Sequence, residues 1–264
     1  MKFASLNTIL GLFILAFIAF TSANGHAAQL TLSVAAAADL KFALDEIAAD
    51  FQKNHTNVSV QVSYGSSGNF YSQLSQRAPF DIFFSADISY PARLVEAGLG
   101  VADSKFSYAV GRIVVWTPAN SPIRPAELGI ESLKQPSVRK IAIANPEHAP
   151  YGQAAVAAMR KLGVYDAVKD KLVFADNVAQ AAQFIDGGAA DIGVIALSLA
   201  VAPVMKDKGR YWEVPLDAYP RLEQGGVILS WAKHPDLARE FKAFVLSASG
   251  KSILRRYGFS MPDQ

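Results

Sequence analysis

The sequence has no cysteine in its 264 residues. That single absence excludes disulfide frameworks, thiolate zinc sites, iron–sulfur clusters and cysteine nucleophiles. Charge is scarce as well: Asp, Glu, Lys and Arg make up 18% of the chain, and 25 basic against 23 acidic side chains leave a formal net charge of +2. So balanced a chain gives no electrostatic case for binding nucleic acid. Histidine is sparse too. Beyond residue 28 only His55, His148 and His234 occur, none with a second histidine at ligand spacing, so HExxH-type metal chemistry is missing. What is plentiful is apolar: a hydrophobic fraction of 51% is far from the composition of disordered chains and implies a compact globular protein.

Long hydrophobic runs are limited to one. Lys2 precedes the run Thr8 to Phe20 (TILGLFILAFIAF), which is followed by the small and polar stretch TSANGHAA. Its thirteen residues fall short of the roughly 20 needed to span a bilayer. The arrangement reads instead as a secretory signal peptide over residues 1–28, cleaved after Ala27 or Ala28. A soluble exported protein with one basic residue fewer is expected.

After this leader the chain alternates short β-rich runs with helical stretches. LTLSVAAAA (30–38) reads as a strand feeding a helix over 39–54, in which Leu40, Ala43, Leu44, Ile47, Ala48 and Phe51 form one apolar stripe at helical period. Asp39 stands where an N-cap belongs. Strands are expected over 57–65, 80–86, 111–118, 139–146, 171–175, 190–196 and 227–233. Helices are expected over 68–77, 152–163, 178–188 and 235–258, with another in SYPARLVEAGL ending at Gly98 or Gly100. Turn-rich patches cover 118–128 and 215–226, and neither is long enough for a disordered linker. This alternation points to parallel α/β architecture.

Enzyme signatures are wanting. GSSG (65–68) is not the G-x-S-x-G nucleophile elbow. SGKS (249–252) has Val245 where a P-loop needs its first glycine, and no strand leads into it. The informative segments are four turns, each opening an expected helix: AAAAD (35–39), YGSSGN (64–69), NPEHAPYG (145–152) and ADNVAQ (175–180). In a parallel sheet such turns lie at the carboxyl ends of the strands, where open α/β folds bind ligands. Helix N-termini there offer unpaired N–H groups and about half a positive charge each. None of the four turns contains Lys or Arg. Neutral donors of this kind suit a fully enclosed, reversibly bound oxyanion, because a buried cation carries a desolvation cost.

At these turns the sequence resembles the periplasmic molybdate-binding protein family, the substrate-binding component of molybdate ABC transporters. The segments that carry the resemblance are VAAAADL (34–40), YGSSGNFYSQL (64–74), APFDIFFSAD (78–87), NPEHAPYGQAA (145–155), DNVAQA (176–181) and RRYGF (255–259). The resemblance implies a two-lobed, type II periplasmic-binding-protein-like α/β fold. Each lobe would be a mainly parallel sheet flanked by helices, with the ligand, molybdate or tungstate, in the interlobe cleft. Residues 29–110 plus 225–264 would form one lobe and 111–224 the other. Matched by motif, Asp39, Ser67, Tyr151 and Val178 are the expected ligand-binding residues, with Ala38 and Ser66 as neighbours. Ser67 would supply hydroxyl and N–H, Tyr151 and Val178 their main chain. The resemblance further implies a monomeric, cofactor-free periplasmic receptor with no catalytic residues, delivering the oxyanion to an ABC permease in the inner membrane.

Two positions depart from the family pattern. Ala196 stands where some members have a tyrosine hydroxyl, so one donor is lost. Asp39 stands where the family has Ser, Thr or Asn; since a carboxylate facing a dianion is repulsive, the expectation is that it folds back to cap its own helix. Other readings are another tetrahedral oxyanion, sulfate or phosphate, and an exported hydrolase. A ferric site is disfavoured by the absence of any Tyr-Tyr pair.

Overall fold

The computed structural model describes residues 29–263, so the expected leader over 1–28 lies outside the described residues. Strand β1 (Leu30–Ala37) runs through a short 3-10 turn into α1 (Lys41–Asn54). There follow β2 (Val58–Gly65), α2 (Ser67–Ser75), β3 (Ile82–Ser85), α3 (Ser89–Glu96), β4 (Phe106–Gly111), β5 (Ile113–Pro118) and α4 (Pro125–Leu128). Next are β6 (Ile141–Ala144), α5 (Pro150–Lys161), α6 (Tyr165–Val168), β7 (Leu172–Ala175), α7 (Val178–Asp186), β8 (Ile192–Ala196) and α8 (Leu197–Ala200). The chain closes with β9 (Gly209–Glu213), β10 (Leu222–Ile228), α9 (Pro235–Leu246) and α10 (Ala248–Arg256).

The strands form two five-stranded sheets. The first has the order β2-β1-β3-β10-β4, with β1 parallel to β2 and β3 while β10 runs antiparallel to β3 and β4. The second has the order β7-β6-β8-β5-β9, with β6 parallel to β7 and β8 while β5 is antiparallel to β8 and β9. Each sheet is thus a three-strand parallel unit extended by one reversed strand, β10 or β5, and an edge strand, β4 or β9, that runs with the parallel set. The chain passes from the first sheet to the second between Gly111 and Ile113 and returns between Glu213 and Leu222.

Period-two burial explains why helices cover both faces of the first sheet. Val34, Ala36, Ile82 and Phe84 pack in the main core with Leu44, Ile47, Phe51 and Phe241 of α1 and α9. The intervening Ala35 and Phe83 pack with Phe70, Leu74 and Leu94 of α2 and α3. Phe84 sits edge-on to Phe106, Tyr108 and Phe241, which seats Tyr108 deep beneath the cleft.

Three expectations need correction. The 111–118 run is divided, Gly111 ending β4 and Ile113 beginning β5. The strand expected over 227–233 instead spans Leu222–Ile228 and begins inside the supposed turn-rich patch. Its glycines are steric: a Cβ on Gly226 would lie 2.7 Å from the Phe83 carbonyl oxygen on the neighbouring strand. The helical stretch 235–258 is two helices, broken at Ser247, whose hydroxyl accepts from the Gly250 N–H and caps α10. Two strands were not anticipated, β4 and β9; the latter is a partly exposed edge strand without apolar alternation.

Candidate functional site

The parallel strands of both sheets end at one place. A small cavity of about 10 Å³ is lined by Ala37, Ala38 and Asp39 after β1, Gly65, Ser66 and Ser67 after β2, and Ala86 after β3. From the second sheet come Ala149, Pro150 and Tyr151 after β6, and Asn177 and Val178 after β7. All six residues expected from the sequence, Ala38, Asp39, Ser66, Ser67, Tyr151 and Val178, therefore border the same space. They are buried, and no Lys or Arg lines the cavity.

Local capping chemistry decides which donors remain open. Asn177 Oδ1 accepts from the N–H groups of Ala179 and Gln180, both at 3.0 Å, and so holds the start of α7 without touching Val178 N–H. Ser66 Oγ accepts from Asn69 N–H at 3.4 Å at the start of α2. In α5, Pro150 occupies the first helical position, where a missing N–H costs nothing, and Tyr151 follows. Ser67, Tyr151 and Val178 thus lie in first turns, whose N–H groups have no intrahelical acceptor. The Ser67 hydroxyl accepts from Ala86 N–H at 2.9 Å, which leaves its own proton free to donate elsewhere.

Asp39 does not behave as expected. Its carboxylate makes no helix-capping hydrogen bond of full geometry and feels only a weak pull from the Asp39 and Leu40 N–H groups; Oδ2 reaches to the second sheet's side of the cleft, accepting from the Tyr151 hydroxyl at 3.0 Å, and also accepts from Gln224 Nε2 at 2.6 Å. The physical reason is a prearranged pair of donors. Tyr108 donates to Gln224 Oε1 at 2.8 Å, which turns the amide so that Nε2 faces Asp39 and also donates to the Tyr151 oxygen at 3.1 Å. Asp39 Oδ1 is buried without a partner. Burial raises the Asp39 pKa to about 6, against the opposing pull of Gln224, Tyr151 and the N–H groups of Asp39 and Leu40. Burial, and then the Asp39 charge, push the Tyr151 and Tyr108 phenols well above their ordinary range, so both remain donors.

The two halves of the cleft touch directly. Gly68 N–H donates to the His148 carbonyl at 2.9 Å, Ser66 Oγ and His148 Nδ1 share a hydrogen bond of 2.9 Å, and Ser198 Oγ donates to the Asp39 carbonyl at 2.7 Å. A Cβ on Gly68 would stand 2.6 Å from the His148 oxygen, so only glycine permits this approach. Ala196 is buried at the end of β8 and lies outside the cavity lining; the same turn supplies Ser198 instead, engaged with main chain.

Gln224, Tyr108, His148 and Ser198 were missed by sequence reasoning. Gln224 is 185 residues from Asp39 and Tyr108 is 116 from Gln224, and no local pattern links them. Gln224 lies in the run LEQGGVI, whose Glu, Gln and paired glycines resemble a turn and give no local signal of a buried amide.

Residues 32–260 match the model of a family described as bacterial extracellular solute-binding protein. The chain belongs to that family. Among the curated relatives of this solute-binding protein are the molybdate-binding proteins ModA of Rhodobacter capsulatus, 37% identical over 85% of this chain and 86% of that one, and of Azotobacter vinelandii, 36% identical over 87% and 90%. The solved periplasmic molybdate-binding protein of Azotobacter vinelandii superposes with a TM-score of 0.81 at 31% identity, over 88% of this chain and 99% of that chain. The solute-binding protein shares their two-lobed α/β fold and is a binding protein, not an enzyme. Among its described residues no helix is long and apolar enough to cross a membrane.

Proposed function

We propose that this chain captures molybdate, and tungstate with it, in the cavity between its two units and delivers it to an ABC permease in the inner membrane. The units are residues 29–110 plus 225–264 and residues 111–224, and the mature protein acts as a periplasmic monomer after its leader is removed. The N–H groups of Asp39, Ser67, Tyr151 and Val178 and the Ser67 hydroxyl donate to the oxyanion, with Ala38 and Ser66 completing the wall. One observation supports this reading: the first-turn residues of three helices and the β1 turn line one buried space together, without a Lys or Arg among them.

A cavity of about 10 Å³ has room for about one water, so a four-oxygen anion enters by a small parting of the units about the two crossovers. A neighbouring cavity of about 240 Å³ shares Ala86 and Pro150 with the site and offers an approach from solvent. Once inside, the dianion cross-links both halves. Each charge-assisted hydrogen bond contributes roughly 1.5 to 3 kcal/mol, enough in combination for sub-micromolar affinity. The test is the melting temperature at matched ionic strength with molybdate, tungstate, sulfate and phosphate. Increases confined to the first two are expected; equal increases with all four, or none, would refute the proposal.

A further inference from the structure

We propose that Asp39 is a proton-carrying member of the oxyanion site: the anion is held together with one proton on Asp39 Oδ1, and binding takes that proton up from solvent. This rests on the reading of the cavity as a site for a tetrahedral dianion, and geometry leads to it.

Asp39 Oδ2 is already an acceptor twice over, from Gln224 Nε2 and from the Tyr151 hydroxyl. Those directions are fixed from behind, because Tyr108 occupies Gln224 Oε1 and Gln224 donates to the Tyr151 oxygen, leaving the Tyr151 proton only Asp39 to serve. A proton on this carboxyl therefore resides on Oδ1, the buried oxygen without a partner. The titratable groups facing Asp39 are Tyr151 from α5 and Tyr108 from β4, both held protonated, and no cation acts on it. Only neutral donors, Gln224, Tyr151 and the N–H groups of Asp39 and Leu40, offset a charged Asp39, and burial outweighs them. The side-chain oxygens that line the cavity are already engaged as acceptors, Ser67 Oγ by Ala86 N–H, Ser66 Oγ by Asn69 N–H and Asn177 Oδ1 by Ala179 and Gln180 N–H, so an Oδ1–H finds its acceptor in the anion.

The balance is simple. An ionised Asp39 and a dianion in one dry cavity repel; transfer of H⁺ from solvent to Oδ1 removes one negative charge and adds one donor. The pKa of about 6 for the closed site rises further when the dianion enters. The bound state thus takes up about one proton at neutral and mildly alkaline pH, and affinity falls about ten-fold per pH unit there.

The experiment is calorimetric titration of the mature chain with sodium molybdate between pH 7 and 9, in buffers of differing ionisation enthalpy. Uptake of about one proton per molybdate is expected for the wild type. Asp39→Asn should bind with no proton uptake and a pH-independent affinity. Zero uptake by a wild type that binds molybdate would overturn the inference, as would uptake unchanged in Asp39→Asn, which would move the proton to another group such as His148. A preference for hydrogen phosphate with no proton uptake would also overturn it, since an ionised Asp39 would then be accepting from a protonated ligand. The wild-type proton count decides the matter even if the variant fails to fold. Failure to bind molybdate or tungstate at all would instead refute the proposed function, and this inference with it.

Discussion

Asp39 Oδ2 rests on two donors while Oδ1 has none, and this asymmetry has measurable consequences for the unliganded protein. With its folded pKa near 6 against an ordinary value of 3.8, Asp39 binds more proton in the folded than in the unfolded state between these limits. Stability contributed by the neutral form is complete below about pH 4 and is lost as pH rises through about 6, a loss on the order of 3 kcal/mol. Urea unfolding from pH 4 to 8 should show Asp39→Asn without that component of the slope. Ser67→Ala should weaken molybdate binding by about 1.5 to 3 kcal/mol by removing a charge-assisted donor, read by calorimetry, and should cost folding stability because the buried Ala86 N–H loses its acceptor. The positions of Asp39 and Ser67 were legible in the sequence as helix-opening residues after β runs. The direction of the Asp39 carboxylate was not, because the groups that attract it, Tyr151 and Gln224, are 112 and 185 residues away.

At the scale of elements, capping and donation are divided between adjacent residues. Asn177 holds the frame of α7 with its side chain, whereas Val178 presents an N–H. Asn177→Ala should therefore lower stability by about 1 kcal/mol in urea unfolding, while molybdate affinity changes less than in Ser67→Ala. Period-two and helical patterns made β1, β2, β3, α1 and α7 readable. They failed at β9, whose GRYWE run is a partly exposed edge without apolar alternation, and at β10, where Gln224, Gly225 and Gly226 mimic a turn. There tertiary crowding overrides local preference: the glycines admit Ile88, Phe106 and the β3 backbone within what would be contact of a Cβ.

For the whole molecule, two similar sheets aim the ends of their parallel strands at each other, and a buried main-chain contact from Gly68 to His148 brings the halves together. Gly68→Ala places a Cβ against that carbonyl and should cost the closed state about 1 to 3 kcal/mol. Small-angle scattering would then show a smaller molybdate-induced contraction than in the wild type. The GSSG turn alone did not announce this, since the contact exists only when His148 arrives from the other unit. Enclosure of the oxyanion by uncharged polypeptide from both units can be seen by locating the metal in crystals grown with tungstate through its anomalous scattering. One strong peak is expected, with its oxygens in hydrogen-bond reach of the Ser67 hydroxyl and the Tyr151 and Val178 N–H groups; a peak elsewhere, or one held chiefly by lysine and arginine side chains, would refute enclosure by neutral donors.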